Sequence, residues 1–126
     1  MISNTTFVER PAVVVVMASE RHEQIGDIVQ TLGYQVKRAR GVHEGAQLVA
    51  ANAGTVAVLI EVALRDGNWL DLVEKVRLRN PHVPLVLCAE SWSAELWWDA
   101  SDCGVSEVIS PPYASAEFER FLQSMA

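Results

Sequence analysis

Glu61 closes the apolar run Val56-Ala-Val-Leu-Ile, and the turn-forming triplet Arg65-Asp66-Gly67 comes shortly after it. In open α/β sheets, ligands and reactive groups gather beyond the carboxyl ends of central strands, so a lone carboxylate at such an end is the first residue to account for. Few other side chains offer chemistry. His22, His43 and His82 share no ligand spacing with one another or with a cysteine, so no metal site is expected. Cys88 ends an apolar run and Cys103 falls on the inner stripe of a helix, settings in which free thiols are inert. The Gly-x-Ser-x-Gly, P-loop and Gly-x-Gly-x-x-Gly patterns are absent, which removes the common hydrolase, NTPase and dinucleotide-binding signals. Arg65-Asp66-Gly67 itself reads as turn chemistry.

The second group to explain is aromatic. Trp92, Trp97 and Trp98 crowd one predicted helix. With Leu96, Ala100 and Cys103 facing inward, a step of about 100° per residue puts Trp97 on the flank and Trp98 nearly opposite the core. A wet tryptophan either anchors a partner or folds back over a neighbour such as Asp102.

These residues need elements to hold them. Ala12-Val-Val-Val-Val16 is an uninterrupted β-branched strand of the kind buried on both faces of a parallel sheet. From Arg21 to Leu32, Ile25, Ile28, Val29 and Leu32 recur at helical spacing, and Gly33 supplies the C-terminal cap. Gln35 to Ala39 alternates and suits an edge strand. A helix from about His43 to Ala51 turns Ala46, Val49 and Ala50 inward, and the strand Val56 to Glu61 leads to a helix with Leu70, Val73 and Val76 inward that Asn80-Pro81 ends. Leu85 to Ala89 is a fourth strand. A helix from about Ser93 to Cys103 stops at Gly104, Glu107 to Ser110 is a short fifth strand, and the Pro111-Pro112 turn precedes a helix from Ala114 to Met125 with Phe118, Phe121, Leu122 and Met125 on one face. Five strand–helix units of this length imply a doubly wound parallel sheet covered by helices on both faces.

The chain has 126 residues and a formal net charge of −6, with a sequence pI near 4.9. Residues 1–10 have no apolar period and read as a disordered lead-in, leaving 11–126 as one domain. The longest wholly apolar run, Ala12 to Ala18, is far short of the roughly 20 residues that span a bilayer, and no cleavable signal is visible. The acidic balance argues against direct nucleic-acid binding, and the short cluster Lys37-Arg38-Ala39-Arg40 reads as a solvated strand edge. Two cysteines without paired spacing indicate reduced thiols and a cytoplasmic location.

Taken in order, Val13 to Val16, Leu32-Gly33-Tyr34, Val58 to Glu61 with Asp66-Gly67, Val83-Pro84-Leu-Val-Leu, and Gly104-Val-Ser-Glu-Val-Ile-Ser-Pro-Pro112-Tyr113 resemble the receiver domain of two-component response regulators over nearly the whole chain. The resemblance implies the CheY-like, flavodoxin-like fold, with five parallel strands in the order 2-1-3-4-5. It also implies an aspartate after the third strand that accepts a phosphoryl group from a histidine kinase, an acidic pair after the first that holds Mg²⁺, a hydroxyl residue after the fourth and a lysine after the fifth. Mapped by strand ends, the acceptor position is Glu61. The acidic pair falls on Met17 and Ala18, or on Val16 and Met17 in the other register. The hydroxyl falls on Ala89, the lysine on Pro111, a cis-proline on Pro112 and the switch aromatic on Val108.

On that mapping every working group is changed, which marks a degenerate pseudo-receiver. Mg²⁺ seeks several oxygen ligands, so Glu61 alone is expected to bind it weakly or not at all. Phosphoryl transfer rests on positioning and charge neutralisation, and the resemblance leaves neither. The expectation is therefore no enzymatic activity and a phosphorylation-independent role through protein–protein contact, as a partner complex or homodimer, by way of the fourth and fifth helices, with no nucleic acid and no membrane. The alternative is an active phosphoacceptor with an unorthodox site of Glu61, Glu20 and Ser19; another is a small-molecule binder with a deep polar pocket above Glu61. Within the first reading, Glu61 is either a built-in mimic of the charged state or an inert relic, and the loss of both switch partners favours the relic.

Overall fold

Four consecutive valines make up most of the first strand, β1 (Ala12–Val16), and every residue of it is buried. Branched side chains on alternate sides fill the cores above and below a pleated sheet, which is why this strand reads as continuous rather than alternating. The computed structural model describes residues 10–125, the side chain of Met125 excepted, so nearly all of the expected lead-in and the inward placement of Met125 lie outside what is described. After β1 come α1 (Arg21–Thr31), β2 (Gln35–Ala39), α2 (Val42–Ala51), β3 (Thr55–Glu61), α3 (Trp69–Arg79), β4 (Leu85–Cys88), α4 (Ala94–Asp102), β5 (Glu107–Ile109) and α5 (Ser115–Met125). Between β3 and α3, Ala63–Leu64 pairs antiparallel with Gly67–Asn68, a small ladder that has no counterpart in the apolar pattern. Among the described residues no helix is long and apolar enough to cross a membrane.

The five main strands run parallel in the order β2-β1-β3-β4-β5, the order that the receiver resemblance implied. Val13, Val15, Met17, Leu59, Val86 and Ile109 meet one core, shared with Ile25 and Val29 of α1 and Phe118, Phe121 and Leu122 of α5. Val14, Val16, Val58, Ile60, Leu85 and Leu87 meet the other, beneath α2, α3 and α4. The order reverses direction between β1 and β3, which opens a crevice beyond their carboxyl ends, and Glu61 stands at that crevice.

Helix ends follow local chemistry. Gly33 (φ +101°) and Gly104 (φ +84°) take left-handed conformations after α1 and α4. Each completes a pair of closing hydrogen bonds, Gly33 N–H to Gln30 and Tyr34 N–H to Val29 in one case, Gly104 N–H to Ser101 and Val105 N–H to Ala100 in the other. At the start of α3, Asn68 and Asp71 form a reciprocal capping box.

Two inner stripes differ from the expected ones. In α3 the buried residues are Trp69, Leu72, Val73 and Val76, and Leu70 is exposed, because the indole of Trp69 turns inward and rotates the stripe about 110° away from Leu70. In α2 the buried set is Val42, Gly45 and Val49, Ala46 is half-buried, and Ala50 is exposed. Gly45 explains the rotation: a Cβ there would lie 2.9 Å from Val16 and 3.3 Å from Leu72, so the bare glycine face is the one that comes down on the sheet. In α4 only Ala100 is fully buried, with Leu96 and Cys103 packed at its edge.

Candidate functional site

β3 carries Glu61 to its last position, in register with Cys88 of β4, and the half-buried carboxylate faces the segment that follows β1. That segment leaves the sheet after Met17, whose N–H still bonds Ala39 O at 3.0 Å. The chain then turns so that two successive N–H groups converge on one carboxylate oxygen: Ala18 N donates to Glu61 Oε1 at 3.0 Å and Ser19 N donates to it at 2.9 Å. The Ser19 hydroxyl donates to Oε2. Consecutive N–H groups of this kind form an anion-binding concavity, and here the chain's own carboxylate fills it. Glu61 is therefore a tie between β3 and the β1–α1 loop rather than a free acid at an open strand end.

A second set of contacts closes over the same end of the sheet. Arg21, the first residue of α1, donates through Nε and Nη2 to the two carboxylate oxygens of Glu90 at 3.1 and 3.2 Å, and its guanidinium lies 5.6 Å from the centre of the Tyr113 ring. The paired Glu90 carboxylate raises the Arg21 pKa above its ordinary value. Planar and always charged, an arginine can satisfy a carboxylate and stack on an aromatic at once, which is how one side chain joins the β1–α1, β4–α4 and β5–α5 loops. On the other flank, Arg40 donates to Ala18 O at 3.3 Å and to the Nε2 of His22. Burial pushes both the Cys88 thiol and the Tyr113 hydroxyl well above their ordinary pKa values, so neither ionises near neutrality.

Positions singled out from the sequence fall around Glu61 as follows. Val16 and Met17 are fully buried, their side chains in opposite cores, and Ala18 is half-buried. Ala89 and Val108 are buried on the α2–α4 side. Pro111 is half-buried, and the Pro111–Pro112 peptide bond is cis. Of the residues in the alternative site, Ser19 meets Glu61 directly, whereas Glu20 is exposed at the start of α1. Trp69 is buried in the core, and its backbone N–H bonds Val62 O at 3.0 Å, which anchors the β3–α3 loop.

The set does not fit a divalent cation. Ala18 and Ala89 offer no side-chain oxygen, the Glu61 carboxylate is occupied by three donors, and Glu90 is held by Arg21. No group of three or more His, Cys, Asp or Glu that could hold a metal occurs among the described residues. Beside Glu61 lies a cavity of about 630 Å³ lined by Val62, Cys88, Leu96 and Tyr113 and, at its polar edge, by Ser19, Glu61, Glu90 and Ser91; its apolar walls predominate, and Glu61 and Glu90 are already paired within the chain.

Sequence reasoning missed Arg21, Arg40, Glu90 and Tyr113. No spacing rule relates positions 69 residues apart, and the only available hint was that Arg21, Glu90 and Tyr113 each follow closely on a predicted strand.

No protein-family model matches the chain, and no curated protein matches it at a significant level. Solved structures do. The non-phosphorylated HemR receiver domain from Leptospira biflexa superposes with a TM-score of 0.79 at 24% identity, over 92% of this chain and 94% of that one. The chemotaxis protein CheY4 of Vibrio cholerae gives a TM-score of 0.82 at 18% identity, over 93% and 99%. The receiver domain of the sensor histidine kinase PA1611 from Pseudomonas aeruginosa gives 0.81 at 16% identity, over 94% and 98%; in that protein a magnesium ion is coordinated in the active-site cleft. Strand order, helix placement and these superpositions agree that the chain has the CheY-like, flavodoxin-like fold of response-regulator receiver domains.

Proposed function

We propose that this protein is a degenerate receiver domain, a cytoplasmic signalling module of the two-component type that works by protein–protein contact and does not take up a phosphoryl group. The observation that carries the reading is the seating of Glu61. Its carboxylate occupies the N–H groups of Ala18 and Ser19, so the place where an incoming phosphoryl group would need donors and a cation is already filled by the chain itself. On the receiver mapping, Met17 and Ala18 stand for the acidic pair, Ala89 for the hydroxyl residue and Pro111 for the lysine, and none can neutralise developing charge. This favours no Mg²⁺ requirement and no enzymatic step. It also sharpens the choice between mimic and relic, because a carboxylate tied to the neighbouring loop holds that loop in one conformation. Output then runs through the helices of the β4–β5 side, in contact with another protein or a second copy, without nucleic acid or membrane.

The contact between Ser19 and Glu61 gives the other reading its one support: an active phosphoacceptor built from Glu61, Ser19 and Glu20. Incubation with a small acyl-phosphate donor and Mg²⁺, followed by intact mass measurement, separates the two. Unchanged mass is the expected result; an added phosphoryl group on Glu61 would overturn the proposal.

A further inference from the structure

Charge is unevenly distributed along the chain. Residues 80–119, which build β4, α4, β5 and the first part of α5, contain seven of the sixteen acidic residues and none of the ten lysines and arginines. The remainder of the chain is close to neutral, so this segment accounts for the whole of the net negative charge.

The same segment carries most of the exposed aromatic surface. Trp98 is 62% exposed, Trp92 53% and Trp97 37%, and the rings of Trp97 and Trp98 pack edge to face with centroids 5.2 Å apart. Trp98 is the most open to solvent of the three. Measured round the helix at about 100° per residue, Asp102, Glu95 and Asp99 lie within roughly 100° of Trp98 on one flank, and Trp97 lies on the other. Each of those three acids is exposed, and none forms an ion pair with a lysine or arginine among the described residues. The described part of α5, by contrast, exposes no large apolar side chain.

From this arrangement we infer that the outer face of α4, centred on Trp98, docks a protein segment in which arginine or lysine alternates with apolar residues; the inference rests on the interaction-module reading above and names the chemistry of its partner. Two observations point to a basic occupant. An indole face flanked by carboxylates attracts a cation through both its ring quadrupole and the local negative potential. A second acidic surface, such as this same face on another copy, would be repelled. Tryptophan supplies the apolar anchor at low entropic cost, and the surrounding acids set the sign of what can approach.

The test uses the full chain and two fluorescently labelled synthetic peptides of equal length and equal leucine content, one carrying arginine at every second position and the other glutamate. Saturable anisotropy change with the arginine peptide and none with the glutamate peptide is expected. Trp98→Ala should weaken binding by about tenfold or more, a change no general charge attraction predicts. Asp99→Asn combined with Asp102→Asn should flatten the dependence on salt, and circular dichroism would verify that both variants fold. Failure of the arginine peptide to saturate, undiminished binding by Trp98→Ala, or concentration-dependent self-association abolished by Trp98→Ala would each overturn the inference. None of these readouts depends on the mass of a phosphoryl adduct at Glu61, so failure here would leave the non-phosphorylated reading standing.

Discussion

Removing the Glu61 side chain would leave the N–H groups of Ala18 and Ser19 without their acceptor, the first half-buried and the second exposed to water. Leaving the half-buried donor unpaired costs about 1–2 kcal/mol, while water can take the place of the carboxylate at the exposed one. Glu61→Ala is thus expected to lower urea-unfolding stability by that amount, and Glu61→Gln, which keeps one carbonyl oxygen within reach of both donors, by less than half of it. Equal losses in the two variants would mean that charge, not hydrogen bonding, is what the loop requires. The prominence of Glu61 was legible in the sequence, since an acid ending an apolar run is conspicuous, and Ser19 was noted as able to approach it. That it is tied in rather than idle was not, because two of its three donors are backbone N–H groups and carry no side-chain signature.

At the scale of elements, α2 shows how a helix can be capped from a distance. Its own N-cap residue, Gly41, has no side chain, and the first-turn N–H groups of Val42 and His43 are met instead by Asp66 from the β3–α3 loop, at 2.5 and 3.1 Å. A Cβ on Gly41 would lie 2.4 Å from the Asp66 carboxylate, so the glycine is needed for the acid to reach in. Those two donors, His43 first, hold the Asp66 pKa below its ordinary value of 3.8. A carboxyl group with a depressed native pKa contributes stability that is complete above the unfolded value and is lost as pH falls through the native one. Wild-type stability should therefore decline more steeply than that of Asp66→Asn on acidification below about pH 4, and amide exchange at Val42 and His43 should quicken several-fold in Asp66→Ala. Parallel acid-unfolding curves for wild type and Asp66→Asn would rule this out. From sequence, Arg65-Asp66-Gly67 read only as a turn, and the α2 stripe was placed on Ala50, because neither a cap supplied across 24 residues nor the close approach of Gly45 leaves a local periodic mark. The five strands of the main sheet, by contrast, were legible almost to the residue, since apolar runs bounded by turn residues state both their type and their ends.

For the whole molecule, the gap in basic residues between positions 80 and 119 can be seen in the sequence, but only the fold shows which of its acids share a surface: Glu95, Asp99 and Asp102 lie together on α4, whereas Glu117 and Glu119 lie on α5 across the sheet. Exposed carboxylates a helical turn apart, as Glu95, Asp99 and Asp102 are on α4, repel one another, and within a folded helix they are closer together than in the unfolded chain. Salt screens that repulsion over a Debye length of about 8–10 Å near physiological strength, so the folded state gains more from added salt than the unfolded state does. The opposing effect, weakening of the Arg21–Glu90 and Arg38–Asp27 pairs, comes from two surface interactions of the kind that contribute little each. Repulsion among the acids should prevail. Raising sodium chloride from about 0.02 to 0.5 M is expected to increase the thermal midpoint by roughly 2–4 °C, equivalent to about half to one kcal/mol for a domain of this size. Asp99→Asn with Asp102→Asn should raise the midpoint at low salt and shrink the response to added salt, because the same repulsion has already been removed chemically. A midpoint that stays flat or falls with salt in the wild type would show that the charges on α4 are too widely spaced to interact.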